Sequence, residues 1–327
     1  MAIRVLLILI LLLPCFISGC VVKTEQSPVS GLRTGDYLGM EPPDSIPEIF
    51  APNIISTEYE IRDMTISPDG NEIFYSMQWR IRSVILRIVR EDSVWGKPGV
   101  APFSGEWDDT EPMFSPDGKK LFFSSARPTV ERGNTGDYDI WFIEKSDSGY
   151  GDPVNVGAPI NTEKNEFYPS ITKDGSIYFT TLYERTEDIW VSRFENGEYQ
   201  PPVRLSDSIN TSSHYEFNAF VTPDEDRIFF TSFGRDDDMG GGDIYVSEKI
   251  NGIWSKAKNP GTPVNSDEMD FCPYVSPDGS YLFFTSRRVP QENIKQHYTT
   301  SDLLSSLKQP QNGSLNIYWI DAKSLTK

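Results

Sequence analysis

The chain predicts an all-β fold, a five-bladed β-propeller of four-stranded blades, and three observations carry that prediction. A tight-turn signature recurs five times, an aromatic strand follows each copy, and no helical pattern separates one copy from the next. The turns are Ser67-Pro68-Asp69-Gly70, Ser115-Pro116-Asp117-Gly118, Thr172-Lys173-Asp174-Gly175, Thr222-Pro223-Asp224-Glu225 and Ser276-Pro277-Asp278-Gly279, spaced by 48, 57, 50 and 54 residues. Proline presets φ for the first central position, aspartate bonds the backbone ahead of it, and glycine accepts the positive φ that follows. The fourth copy ends in Glu225 and is expected to hold the most altered turn.

Each turn leads into a continuous apolar run: Ile73-Phe74-Tyr75, Leu121-Phe122-Phe123, Ile177-Tyr178-Phe179, Ile228-Phe229-Phe230 and Leu282-Phe283-Phe284. Such runs suit strands buried on both faces. A third element follows after a variable loop, at Asp139-Ile140-Trp141, Asp188-Ile189-Trp190, Asp243-Ile244-Tyr245 and Asn316-Ile317-Tyr318, with a degenerate Ser83-Val84-Ile85 in the first copy. A fourth begins near Trp95, Tyr150, Tyr199 and Trp254. The fifth copy stops at Lys327 after its third strand. A matching fourth strand is available at the other end, at Ile46 to Ser56, so an N-terminal strand is expected to complete the last blade and close the ring. Closure removes the two exposed sheet edges of an open array.

The pattern Ser-Pro-Asp-Gly, Leu-Phe-Phe-x-Ser, then Asp-Ile-Trp or Asp-Ile-Tyr resembles the Pro-Asp-type, WD-repeat-like propeller repeat of TolB and of many bacterial envelope lipoproteins. The resemblance covers residues 46–327 and implies the fold. It implies no particular function, because Val21 to Ser45 is too short to be the additional N-terminal domain of TolB.

The first 20 residues point to a compartment. Arg4 precedes an apolar run from Val5 to Leu13 that is too short for a permanent membrane span, as in a processed signal peptide. Ile17-Ser18-Gly19-Cys20 resembles the bacterial lipobox, which implies cleavage before Cys20 and its acylation. Residues 1–19 then form the signal, 20–45 a lipidated tether and 46–327 the propeller. Deleting residues 22–41 is expected to be harmless. Cys272 would be the only other thiol of the mature chain, which leaves no intramolecular disulfide. The formal charge is −18, from 30 basic and 48 acidic residues. Such a chain repels nucleic acid and anionic headgroups and favours cations or basic protein surfaces. A monomer held at the membrane through its lipid alone is expected, with an envelope protein or a glycan as partner. Val21 after the cysteine favours the outer membrane.

Counting back six residues from each turn gives Asp109, Glu166, Glu216 and Asp270, with Ile61 in the first blade. These carboxylates are expected near the channel mouth, beside Asp63, Glu111, Phe167, Tyr168, His214, Tyr215, Phe217, Asn218 and Phe271. They could bind a ligand, hold a hard cation such as calcium, or pair structurally with Arg127, Arg235, Arg287 and Arg288. The stretch Arg235 to Asp243 lacks the spaced ligands of an EF-hand and reads as a hairpin connection. Catalytic signatures are sparse: two histidines, His214 and His297, no nucleophile elbow and no phosphate-cradling glycine loop. Cys272, between Phe271 and Pro273, reads as a core residue. A binding or scaffold propeller is therefore the leading reading. A glycan-active hydrolase or lyase using two of the mouth carboxylates is the alternative.

Overall fold

The computed structural model of the chain describes residues 33–326, apart from 81, 130–132, 134, 135, 147, 148 and 184. The signal and Cys20 lie outside the described residues. Five antiparallel sheets of four strands form a five-bladed propeller, as the repeat predicts. The innermost strands are Glu60–Ile66, Asp109–Phe114, Glu166–Ile171, Tyr215–Val221 and Asp270–Val275. Behind them, in order, stand Glu72–Trp79, Lys120–Ser125, Ile177–Tyr183, Arg227–Phe233 and Tyr281–Ser286. Third strands and short outer strands complete each blade. Antiparallel order puts the Ser-Pro-Asp-Gly turns and the hairpins after the third strands at one end of the blades, here the turn face. The loops between second and third strands and the connections between blades share the other end, the loop face.

The fourth turn is altered as expected. Glu225 takes the left-handed φ of 55° that glycine holds elsewhere, and Thr222 Oγ1 bonds Asp226 rather than the turn aspartate. Arg193 and Lys249 both pair with Glu225, and Tyr178 OH bonds it at 3.0 Å. Those contacts hold a side chain where glycine would be easier.

Ring closure follows the expected route. Glu48 pairs with Trp319 and Ile49 with Tyr318, and Phe50 N bonds Ile317 O at 2.8 Å. Phe50 then seats edge-on against Phe283 and Trp319, at 5.0 and 5.2 Å between ring centroids. Residues 33–40, read from the sequence as part of a free tether, are packed on the propeller. Arg33–Thr34 adds to the outer hairpin of the first blade, and Trp95 Nε1 bonds Gly35 O at 2.8 Å. Tyr37 meets Tyr281 and Trp319 of the fifth blade, while Leu38 is buried beside it. This strap crosses the turn face from the first blade to the fifth, so removing residues 22–41 would uncover part of the core. The period-based reading missed it because the strap repeats nothing.

Each innermost strand carries a bulge, and the bulged residue has positive φ: Asp63 48°, Glu111 59°, Tyr168 50°, Asn218 50° and Cys272 53°. Four of the five donate their backbone N–H to a hydroxyl on the second strand of the preceding blade. The bonds are Asp63 to Thr285 at 3.2 Å, Glu111 to Ser76 at 3.1 Å, Tyr168 to Ser124 at 3.2 Å and Asn218 to Thr180 at 3.1 Å. In the remaining pair Thr231 Oγ1 is buried without a hydrogen-bond partner.

Two stability predictions follow from these contacts. Thr180→Val removes an acceptor from a buried N–H and should cost about 1–3 kcal/mol in urea unfolding, whereas Thr231→Val should be close to neutral. Equal losses would contradict the inter-blade role. Replacing Tyr37 and Leu38 together by serine should destabilise by roughly 2–5 kcal/mol, the scale of emptied core sites, although both lie in the region that reads as linker.

Candidate functional site

The carboxylates picked out by counting back from the turns are buried at the starts of their strands, and three of them share one arrangement. Arg127 Nη2 bonds Asp109 Oδ1 at 2.6 Å and Phe103 O at 3.1 Å. Arg235 Nη2 bonds Glu216 Oε1 at 2.9 Å and Ile209 O at 2.6 Å. Arg288 Nη2 bonds Asp270 Oδ1 at 2.6 Å and Val264 O at 2.5 Å. Each guanidinium thus ties a carboxylate to the connection arriving from the previous blade. Each also lies about 5 Å over rings of its own second and third strands, Phe123 and Trp141 for Arg127 and Phe284 and Tyr318 for Arg288.

Hydroxyls complete the sets. Ser125 and Ser104 donate to Asp109 at 2.6 and 2.8 Å, Thr211 and Ser232 to Glu216 at 3.0 and 3.3 Å, and Ser266 to Asp270 at 2.7 Å. Glu166 takes bonds from Thr162 N at 3.1 Å and Thr162 Oγ1 at 2.6 Å. In the first blade Ile61 stands opposite Met77, so the layer is apolar on both strands there. With their oxygens engaged in this way, these side chains join blades rather than present charge to a ligand.

The groups that meet on the axis are the bulged residues, two positions further along each strand. Contacts between non-neighbouring blades mark them. Asn218 Nδ2 of the fourth blade reaches Glu111 Oε1 of the second at 3.4 Å, and Tyr168 OH of the third bonds Pro273 O of the fifth at 3.0 Å. Arg62 closes the cluster. Its Nε lies 3.0 Å from both Asp63 oxygens, and its Nη2 lies 2.9 Å from Glu111 Oε1 and 3.5 Å from Cys272 Sγ. The guanidinium rests 5.3 Å over the Phe271 ring. Of the residues expected at the mouth, Glu111 and Tyr168 therefore belong to the axis, while Asp109, Glu216, Asp270, Arg127 and Arg288 belong to blade junctions.

Burial decides the protonation of this cluster. It pushes the Glu111 carboxyl up to about 7, opposed by Arg62 and reinforced by Asp63. It also raises the Cys272 thiol and the Tyr168 phenol well above their ordinary values. Burial opposes the Arg62 charge, yet the Asp63 carboxylate bonded to it holds the guanidinium charged above its usual range. Glu111 accepts from Arg62, Asn218, Ser124 Oγ at 2.9 Å and Tyr168 N at 2.8 Å. A protonated thiol that is 2% exposed is no nucleophile, and a carboxyl with four donors around it has little capacity left for a substrate. Among the described residues no group of three or more His, Cys, Asp or Glu side chains is placed to hold a metal ion. In the aspartate-rich loop of the fourth blade, Asp237 and Asp238 accept from Tyr245 OH and Asp243 accepts from Asn259, which ties the loop to its own blade.

Two sets of residues escaped the sequence reading. Arg62 occupies the place held by Thr110, Phe167, Phe217 and Phe271 in the other blades, so an aligned repeat would have exposed it as the lone cation. The hydroxyl column Ser76, Ser124, Thr180, Thr231 and Thr285 follows each aromatic run directly, and its unbroken chemistry was the available signal.

No protein-family model and no curated protein matches the chain in sequence. Among solved structures it is similar to a TolB homologue from Agrobacterium tumefaciens, described as putative, at 19% identity and a TM-score of 0.47, covering 70% of each chain. TolB from Acinetobacter baumannii is 16% identical with a TM-score of 0.46, over 80% of this chain and 54% of that one, so the chain spans about half its length. A thermostable family-43 glycoside hydrolase is 16% identical with a TM-score of 0.44, over 72% of this chain and 86% of that one.

The raised Glu111 value has a defined sign. The folded state prefers the neutral carboxyl, so this contribution to stability is complete below about pH 4.5 and is lost as pH rises through about 7. Between pH 5 and pH 8 the melting temperature of Glu111→Gln should therefore gain on that of the wild type, by the equivalent of up to about 3 kcal/mol. A difference that stays flat across this range would show that Glu111 is not held neutral.

Proposed function

We propose that the chain is a lipid-anchored binding or scaffold propeller of the bacterial cell envelope, which engages a protein or glycan on its loop face and catalyses nothing. The lipobox-like Ile17-Ser18-Gly19-Cys20 supports the anchor. Several acyl chains at about 0.8 kcal/mol per buried methylene make a stable attachment. The outer membrane is the favoured location, on Val21.

One observation carries the binding reading. The exposed large apolar side chains gather on the loop face: Tyr59 and Trp79 on the first blade, Leu182 on the third, Tyr215, Phe233 and Met239 on the fourth, and the leucines of the long insertion on the fifth. Elsewhere such residues stand at blade edges, as with Val154 and Val203, or as a small pair on an outer hairpin, Ile250 and Ile253. Apolar surface concentrated on one face of a regular scaffold favours an interaction surface. The hydrolase alternative needs an acid and a base free to act across a cleft. Asp109, Glu216 and Asp270 are each bound to an arginine instead.

Three measurements test the proposal. Cys20→Ser should move the protein from the membrane to the soluble fraction and abolish acyl labelling; persistence in the membrane would remove the anchor. A partner that co-purifies from detergent-solubilised envelope should be lost from a Trp79→Ser, Phe233→Ser variant of unchanged melting temperature. Release of reducing ends from envelope glycans by the purified chain would overturn the non-catalytic reading.

A further inference from the structure

A small cavity lies on the turn face where the fifth blade meets the first, and the strap helps to enclose it. Its volume is about 290 Å³, at the small end for ligand pockets. The buried Ile66 and Ile73, together with Pro68, Pro277 and Tyr37 of the strap, give it an apolar lining. Asp69 and Asp278, one from the Ser-Pro-Asp-Gly turn of each blade, also line it and are exposed.

Asp278 lacks the cation that its counterparts have. Lys145 lies 4.0 Å from Asp69, Lys119 3.6 Å from Asp117 and Lys173 3.4 Å from Asp224, and the charge of Arg193 reaches Asp174. Asp278 forms no ion pair among the described residues. Its Oδ1 accepts from Ser276 Oγ at 2.6 Å and Ser280 N at 3.1 Å. Burial opposes its charge, yet these bonds hold the carboxyl below its ordinary value, so it is ionised at neutral pH.

Arg90 is the side chain that would close this gap. Its N–H bonds Asn71 O as that of Lys145 bonds Lys119 O, so the two hold the same place in successive blades. Lys145 of the second blade crosses to the first, reaching Glu72 at 2.6 Å and Asp69 at 4.0 Å. By the same step Arg90 would cross from the first blade to the fifth, where Tyr281 replaces Glu72 and Asp278 is the acid. The strap holds it back. Asp36 accepts from Arg90 Nη1 at 2.7 Å, Asn71 Oδ1 accepts from Nε at 3.0 Å, and the guanidinium lies 5.3 Å over the Trp95 ring.

We propose that this cavity binds a small organic cation, an ammonium or guanidinium group on a short apolar chain, which supplies the charge that Arg90 is kept from giving. The cationic end meets Asp278 and Asp69, and the chain lies against Ile66, Ile73 and the two prolines. An anion would be repelled by both carboxylates, and a neutral ligand would leave Asp278 uncompensated. Because the strap, the first blade and the fifth blade all contribute lining, an occupant stabilises the closed ring by mass action.

The test titrates the full chain carrying Cys20→Ser with n-pentylamine at pH 7, and in parallel with 1-pentanol, pentanoate and ammonium chloride at the same concentrations. Pentylamine should raise the melting temperature saturably, and the other three should not. Affinities are then read by calorimetric titration of the folded variants at room temperature. Asp278→Asn keeps an acceptor for the turn and should weaken pentylamine binding roughly tenfold or more. Arg90→Met should strengthen it severalfold, because the resident guanidinium competes for the same carboxylates. An equal shift with pentanol, or equal binding by Asp278→Asn, would overturn the cation site. So would weaker binding by Arg90→Met, which would make Arg90 a support of the cavity rather than a rival to its ligand. Acetyl-glycyl-lysyl-glycinamide separates the sources of the cation. Binding with the same dependence on Asp278 assigns it to a protein side chain, binding of pentylamine alone assigns it to a free amine, and both support the site.

Discussion

The ring depends on the hydrogen bond that runs from a left-handed residue of one innermost strand to a serine or threonine of the blade before it. Each such residue is strained, by about 1–3 kcal/mol for a non-glycine side chain, and one hydrogen bond contributes about 1 kcal/mol net. The bond therefore does not make the bulge favourable by itself. It fixes how far each blade is turned relative to its neighbour, and the bulge points five side chains at one axis. There Asp63, Glu111, Tyr168, Asn218 and Cys272 meet Arg62 and fill the centre with contacts that no two adjacent blades could supply.

Two layers of hydroxyls divide this work. The first, Ser76, Ser124, Thr180 and Thr285, receives the bulge of the next blade. The second, represented by Ser125 and Ser232, serves the carboxylates Asp109 and Glu216, which arginines tie to the incoming connection. Both layers lie next to each other in the second strand, because successive residues of a strand point to opposite faces and so meet different neighbours. Consecutive Ser-Ser, Thr-Thr and Thr-Ser pairs at residues 124–125, 180–181, 231–232 and 285–286 are what such a division requires.

The fold was legible because a propeller repeats its punctuation: the proline-aspartate turns, the aromatic strands and the orphan strand near Phe50 sufficed to deduce blade number and closure. The site was legible only in part. Counting from the turns located the carboxylates at the starts of their strands, but the side chains reaching the axis lie two positions further along, at the bulge, and so are Glu111 and its counterparts rather than Asp109 and its counterparts. No turn signal announces such a bulge in the middle of a strand. The strap escaped for a different reason. Tyr37 and Leu38 are isolated apolar residues in a polar stretch, and only the aromatic floor formed by Tyr281 and Trp319 reveals what they cover.

The closing strand also governs the order in which the molecule can be completed. Glu48 and Ile49 are made early and their partners Trp319 and Tyr318 come last, about 270 residues later. Until those partners arrive, the opening segment has no sheet to join, and the first blade has no fifth blade against which to seal. The segment around Phe50 therefore stays unlocked until the third strand of the fifth blade has formed beside it.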